Sequence, residues 1–253
     1  MIGLGSVRPR RTAPPGASLQ FELVPQGRWT GRAVGRFITA VMITSGLLMV
    51  ADAVLTVTWQ EPVSALLAGR EQGRLDEQLA SATRRSTRER RTLGSRRQDG
   101  PAYSALAARA ARRLETGDAV GRIVLPTLRR SYVVIEGTDV DTLRKGPGHY
   151  PDTPLPGQRG TVAIAGHRTT HGAPFRSVDR LRPGDRIVTS MPYGRFTYRV
   201  ETTRIVAPTA LWVKRRVAHD RLILTACHPL YSAEQRIVVF ARLQAARPAS
   251  RVA

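Results

Sequence analysis

The chain has one cysteine, Cys227, and it lies where an apolar run meets a polar loop: Leu222-Ile223-Leu224-Thr225-Ala226-Cys227-His228-Pro229. A lone cysteine can be a small core residue, a metal ligand or a nucleophile. A position at the end of a strand-like run, just ahead of a loop, favours the nucleophile, because strands deliver reactive groups to solvent there. Arg236 follows nine residues later and opens a second apolar run. If the two runs pair as a hairpin, Arg236 lies near Cys227. A guanidinium beside a thiol favours the reactive thiolate and offers N–H donors to a developing oxyanion. One cysteine and scattered histidines give no zinc-ligand spacing.

A cysteine nucleophile needs a proton partner, and the chain has five histidines. His228 is adjacent in sequence, but neighbours on an extended chain point to opposite faces. His167 follows the run Thr161-Val162-Ala163-Ile164-Ala165 through Gly166, so it too lies at a strand end. Cysteine and histidine partners are usually close in space rather than in sequence. His149, His171 and His219 lie in loops. The residues alone leave this choice open.

The elements that must hold these residues begin after Gly121. Runs such as "RIVLP", "SYVVIEG", "TVAIAG", "DRIVTS", "GRFTYRVETTRIV", "RLILTAC" and "RIVVFARL" alternate with Gly and Pro turns. Six to eight short strands in this spacing predict a mainly β domain, a barrel or a sandwich, over residues 119–245. "TDVDTLRKGPG" and "FRSVDRLRPGD" predict short helical turns, the first capped by Thr138 or Asp139. Residues 60–118 lack strand patterning and read as an Arg-rich, partly helical stalk. Residues 37–59 are apolar with one charge, Asp52, and at about 1.5 Å per residue can span a hydrocarbon core of about 30 Å. A signal peptide cleaved at Ala51-Asp52-Ala53 is the rival reading, but the apolar run continues to Trp59, which favours an uncleaved transmembrane anchor. Arg28, Arg32 and Arg36 flank the first side closely, which places the tail in the cytoplasm. Residues 1–36 and 246–253 read as disordered tails.

The 253 residues carry a net charge of +21, and all but two of the 40 basic residues are arginine. The charge is spread along the chain and no nucleic-acid-binding motif accompanies it, so nucleic acid is not the expected partner. Anionic lipid and anionic wall polymer suit such a surface equally well.

Taken together, "AIAGHRTTHGAPF", "LRPGD", "LTACHP" and "QRIVVFARL" resemble the sortases, in particular the class E sortases of high-GC actinobacteria. The segment "VVIEGTDVDTLRKGPGHYPDTPLPGQRG" resembles the same family's approach to its histidine. The likeness covers residues 119–243 and, by layout, the anchor. It implies an eight-stranded β-barrel with short helices and a membrane-anchored cysteine transpeptidase with an extracytoplasmic catalytic domain. By this resemblance Cys227 attacks the threonine carbonyl of an L-A-x-T-G or L-P-x-T-G sorting signal. His167 protonates the leaving glycine amine and later accepts a proton from the incoming amine. Arg236 holds the substrate backbone or the oxyanion. The partners implied are sorting-signal proteins and an amine of a peptidoglycan precursor, with no metal or organic cofactor and a monomeric enzyme. The chain departs from the family's T-L-x-T-C pattern at Ile223 and Ala226, and has Thr161 where many relatives have Asn. Ala226 removes a hydroxyl beside the nucleophile, which points to weaker catalysis or, as the alternative function, a non-catalytic wall scaffold. An L,D-transpeptidase is the nearest enzymatic rival, but Thr225-Ala226 does not match its Ser-x-Gly context.

Overall fold

The structure, a computed structural model, describes residues 31–59, 62–92 and 100–249. The expected tails therefore fall outside the described residues over 1–30 and 250–253. Helix α1 (Gly31–Trp59) begins six residues before the apolar run, since Arg32, Ala33 and Arg36 are good helix formers. Its segment Val34–Val54 is long and apolar enough to cross a bilayer. The hydroxyls of Thr39 and Thr44 donate to the carbonyls of Gly35 and Ala40 one turn back, which satisfies them without water.

Eight strands form a closed barrel: β1 (Ala119–Leu125), β2 (Arg130–Glu136), β3 (Gly148–His149), β4 (Thr161–Ala165), β5 (Arg186–Met191), β6 (Gly194–Val206), β7 (Arg221–His228) and β8 (Gln235–Arg247). Around the barrel the order is β1-β2-β3-β4-β7-β8-β6-β5. The β2–β3 and β4–β7 pairs are parallel and the others antiparallel. Seven strands coincide with the alternating apolar runs. The eighth, β3, has only two residues, too few to carry a period. Strand β8 continues past residue 245 because β6 beside it is equally long and pairs as far as Arg195↔Arg247.

Alternation sorts each strand into two faces. Val162, Ile164, Leu222, Leu224, Ala226, Ile237, Val239 and Ala241 fill the barrel interior with Phe175, Phe196 and Tyr198. The alternate residues Ala163, Ile223, Val238 and Phe240 form a second cluster on the outer face, covered by Val213 of the 3-10 turn Leu211–Lys214. Helix α4 (Val140–Lys145) is capped by Asp139, whose carboxylate accepts from the Thr142 amide at 2.9 Å.

The region 60–118 is largely helical, and its two helices rest on the barrel. Helix α2 (Pro62–Thr92) buries Leu75 and Leu79 against Val133 and Ile135 of β2. Helix α3 (Gly100–Ala111) buries Tyr103 and Ala107 in the main core, with the Tyr103 ring edge-on to Phe196 at 5.4 Å. Arg122 of β1 forms an ion pair with Asp76 of α2.

Candidate active site

Cys227 and Arg236 are directly opposed across the antiparallel β7–β8 pair. Both belong to the outward face of their strands, the face of Ile223 and Thr225 on β7 and of Val238 and Phe240 on β8. Opposed residues in such a pair have Cα atoms about 4.5–5.5 Å apart. The hairpin expected from the two apolar runs thus sets the two residues opposite each other. Cys227 is a free thiol, partly exposed. Arg236 Nη1 donates to the carbonyls of Ala233 and Gln235 at 2.8 and 3.0 Å. These bonds aim the guanidinium along the loop and leave Nε and Nη2 for other acceptors.

His167 reaches the same end of the barrel by a different route. Strand β4 runs parallel to β7, with Ala165 paired to Thr225. One further rung, the Gly166 amide to the Thr225 carbonyl at 3.0 Å, extends the ladder. Two residues beyond the Ala165–Thr225 pair stand His167 on one chain segment and Cys227 on the other, about sixty residues apart in sequence. Position 166 must be glycine: a Cβ there would lie 2.6 Å from the Phe175 ring. Phe175 packs over it, and its amide returns to the His167 carbonyl at 2.9 Å, closing the loop that carries the histidine.

The His167 imidazole is half-buried, and its Nε2 has no hydrogen-bond partner among the described residues. Burial pushes its pKa below the ordinary histidine value, and His171 and Arg144 add to the shift. The His171 ring is 5.3 Å from it, centroid to centroid. A desolvated imidazole near two basic groups is held neutral, with a ring nitrogen ready to take a proton.

His228 points the other way. Its Nδ1 accepts from Arg168 Nη1 at 3.3 Å, so it is occupied beneath the site. His149, expected in a loop, instead lies in β3, buried in the barrel wall, bonded to Glu136 at 2.8 Å and close to Thr153 and the Pro154 carbonyl. His219 lies 3.9 Å from Glu201, beside the far end of β7.

Two side chains at the site were not singled out by sequence. Tyr150 bonds Thr225 Oγ1 through its hydroxyl at 3.1 Å, and Lys214 Nζ sits 4.8 Å over its ring. Arg168 is buried under the loop. Its one sequence signal is adjacency to His167.

The Ala226 side chain belongs to the barrel interior, 4% exposed, with Leu224 and Ile237. The hydroxyl missing there would face the core and not the outward surface of Cys227. The alternative of a non-catalytic wall scaffold therefore draws no support from Ala226. Among the described residues no group of three His, Cys, Asp or Glu side chains is arranged to hold a metal.

A family model described as "Sortase domain" matches residues 123–244. "Sortase D" of Bacillus subtilis is 35% identical over 133 residues, which cover 51% of this chain and 65% of that protein, just under two thirds of its length. "Sortase SrtE2" of Streptomyces coelicolor is 26% identical over 234 residues, 86% of this chain and 84% of that one. Among solved structures, "Crystal structure of Sortase E1 from Streptomyces coelicolor with tripeptide in the active site" aligns with a TM-score of 0.50 and 26% identity over 53% of this chain and 93% of that chain. The likeness to the Streptomyces class E protein thus continues through the N-terminal half, beyond the catalytic barrel.

Proposed function

Because this chain belongs to the sortase family of cysteine transpeptidases, we propose that it is a membrane-anchored class E enzyme acting on sorting signals of the L-A-x-T-G or L-P-x-T-G type. The observation that supports this reading is the strand register: β4 runs parallel to β7 as far as Ala165 beside Thr225, two residues before His167 and Cys227, and Arg236 pairs with Cys227 across β7 and β8. In the first half-reaction the Cys227 sulfur attacks the threonine carbonyl and its proton passes to His167 Nε2. The C–N bond to glycine breaks as His167 returns that proton to the leaving amine. The product is a thioester, which divides one difficult exchange into two easier steps. In the second half-reaction an amino group of a peptidoglycan precursor attacks the thioester. The C–N bond forms, the C–S bond breaks, and the proton released by the amine travels through His167 back to sulfur. The free donors of Arg236 suit the oxyanion or the substrate backbone. Helix α1 holds the enzyme to the cell membrane with the barrel on the outer side.

The test uses the full chain in detergent micelles with internally quenched L-A-x-T-G and L-P-x-T-G peptides. Cleavage between Thr and Gly, a covalent adduct on Cys227 seen by intact-mass spectrometry, and amine-dependent product are expected. A Cys227→Ala variant that cleaves as fast as the parent refutes the mechanism.

A further inference from the structure

We propose that Arg168 is the positioning residue that holds His167 and Cys227 in mutual register, an inference that rests on the transpeptidase reading above. The β4–β7 ladder ends at the Gly166-to-Thr225 rung, and the next carbonyl, that of His167, bonds Phe175 within its own loop. The loop then bends through three consecutive left-handed residues, His171, Gly172 and Ala173. No backbone hydrogen bond ties His167 to Cys227. Arg168 replaces it.

The Arg168 guanidinium is only 3% exposed. A buried cation is costly unless paired and fully hydrogen-bonded, and this one meets both conditions across the seam. On the histidine side, Nε and Nη2 donate to the Arg176 carbonyl at 3.3 and 3.2 Å, and Asp179 forms an ion pair at 3.1 Å. On the cysteine side, Nη1 reaches the Cys227 carbonyl at 3.4 Å and His228 Nδ1 at 3.3 Å. A guanidinium only donates, so His228 Nδ1 is an acceptor and the His228 proton resides on Nε2. One planar fork, carried by the residue after the histidine, thus joins the backbone of the nucleophile to the far side of the loop. Lysine has the charge but not the fork. Arg168 touches neither the thiol nor His167's ring, so its action on the chemistry passes through the alignment of the other two.

The experiment compares the parent with Arg168→Lys, Arg168→Met and Asp179→Asn, each alone and combined with His167→Ala, in the full chain in detergent. Two quantities are read: kcat and KM for a sorting-signal peptide, and the pH profile of Cys227 alkylation by iodoacetamide, which needs no substrate. Misplacement of a reacting group by about 1 Å can cost about a hundredfold. Arg168→Lys is expected to lower kcat by about 10- to 100-fold with KM within about twofold. The alkylation profile should move toward that of an unassisted thiol. In the His167→Ala background, Arg168→Lys should change the alkylation profile no further, because a residue acting through His167 has nothing left to act on. Asp179 is about half exposed, so Asp179→Asn leaves a folded chain even if the Arg168 variants do not fold, and it should shift the profile in the same direction by a smaller amount. Parent-like kcat and alkylation in the folded variants overturn the proposal. So does an equal loss with and without His167, which marks Arg168 as a purely structural residue. A chain that cleaves no peptide yet shows the His167-dependent alkylation shift refutes the transpeptidase reading and leaves the positioning role standing.

Discussion

Replacing Gln72 of α2 should destabilise the barrel and impair the site at a distance. The Gln72 amide behaves as a short substitute strand. Its Oε1 accepts from the Val133 amide at 2.7 Å, and its Nε2 donates to the Val133 carbonyl at 3.1 Å and the Lys145 carbonyl at 3.0 Å. Strand β2 needs this because β3 pairs with it only at Ile135 and Glu136, which leaves Val133 with an open edge. Val133 is fully buried. Net hydrogen bonds contribute about 0.5–1.5 kcal/mol each, and an unsatisfied buried group costs about 1–3 kcal/mol. With water able to reach part of the gap, Gln72→Ala should cost about 2–4 kcal/mol. Gln72→Glu should cost more, because a carboxylate would face two carbonyl oxygens. The consequence extends to activity: a Cβ on Gly172, in the His167 loop, would lie 3.6 Å from Ala68 of the same helix, so a loosened α2 frees that loop. Urea unfolding gives the stability change, and amide exchange at Val133 isolates the local event. A loss below about 0.5 kcal/mol, with Val133 exchange unchanged, refutes the account of α2 as a structural part of the barrel.

Three further outcomes are expected. His167 has a pKa below its ordinary value of about 6.5, so the folded chain binds that proton less readily than the unfolded one. Its contribution to stability is full above about pH 6.5 and is lost as pH falls through the folded pKa; the parent should therefore lose stability in acid more steeply than His167→Gln, and His171→Ala should raise the His167 pKa in an NMR titration. Ala226→Thr, which restores the family's residue, should destabilise by about 1–3 kcal/mol through overpacking while leaving the rate per folded molecule nearly unchanged, as paired denaturation and peptide assays would show. His149→Ala leaves Glu136 without its buried hydrogen-bond partner at 2.8 Å and should cost about 1–3 kcal/mol in urea unfolding.

Seven of the eight barrel strands were legible as short β-rich runs bounded by Gly and Pro turns, some alternating (β6) and some continuously apolar because both faces are covered (β4, β7 and β8). Strand β3 was not, since two residues show no alternation. The region 60–118 read as a stalk because α2 carries only a thin apolar stripe, Ala68, Leu75 and Leu79, and its polar tie Gln72 depends on an edge of β2 that sequence does not reveal, while α3 buries Tyr103 and Ala107 against strands distant in sequence. Cys227, His167 and Arg236 share one sequence cue, a place near a strand end beside a loop, but that cue left the choice among the five histidines open, and His167 was singled out by the family resemblance. The role of Arg168 was not legible. Its partners are mostly backbone carbonyls contributed by other segments, and a carbonyl has no sequence signature. Ala226 shows the converse: its departure from the family pattern was plain in sequence, but whether it faced the site or the core required the strand's orientation.

Strand β7 offers a practical route to altering this enzyme. Leu222, Leu224 and Ala226 serve the interior, while Ile223, Thr225 and Cys227 serve the outer surface. Random mutagenesis across the strand would mix two unrelated selections and lose most variants to unfolding. Diversifying Thr225 on the outward face with its neighbour Tyr150, and leaving Cys227 and the buried Ile223, Val213 and Phe240 in place, would explore altered activity while keeping the barrel's inheritance intact. Diversifying only the inward Leu222, Leu224 and Ala226 would search for thermostability with the chemistry held constant. One eight-residue segment thus contains two separable libraries, and the border between them is the direction each side chain takes from the sheet.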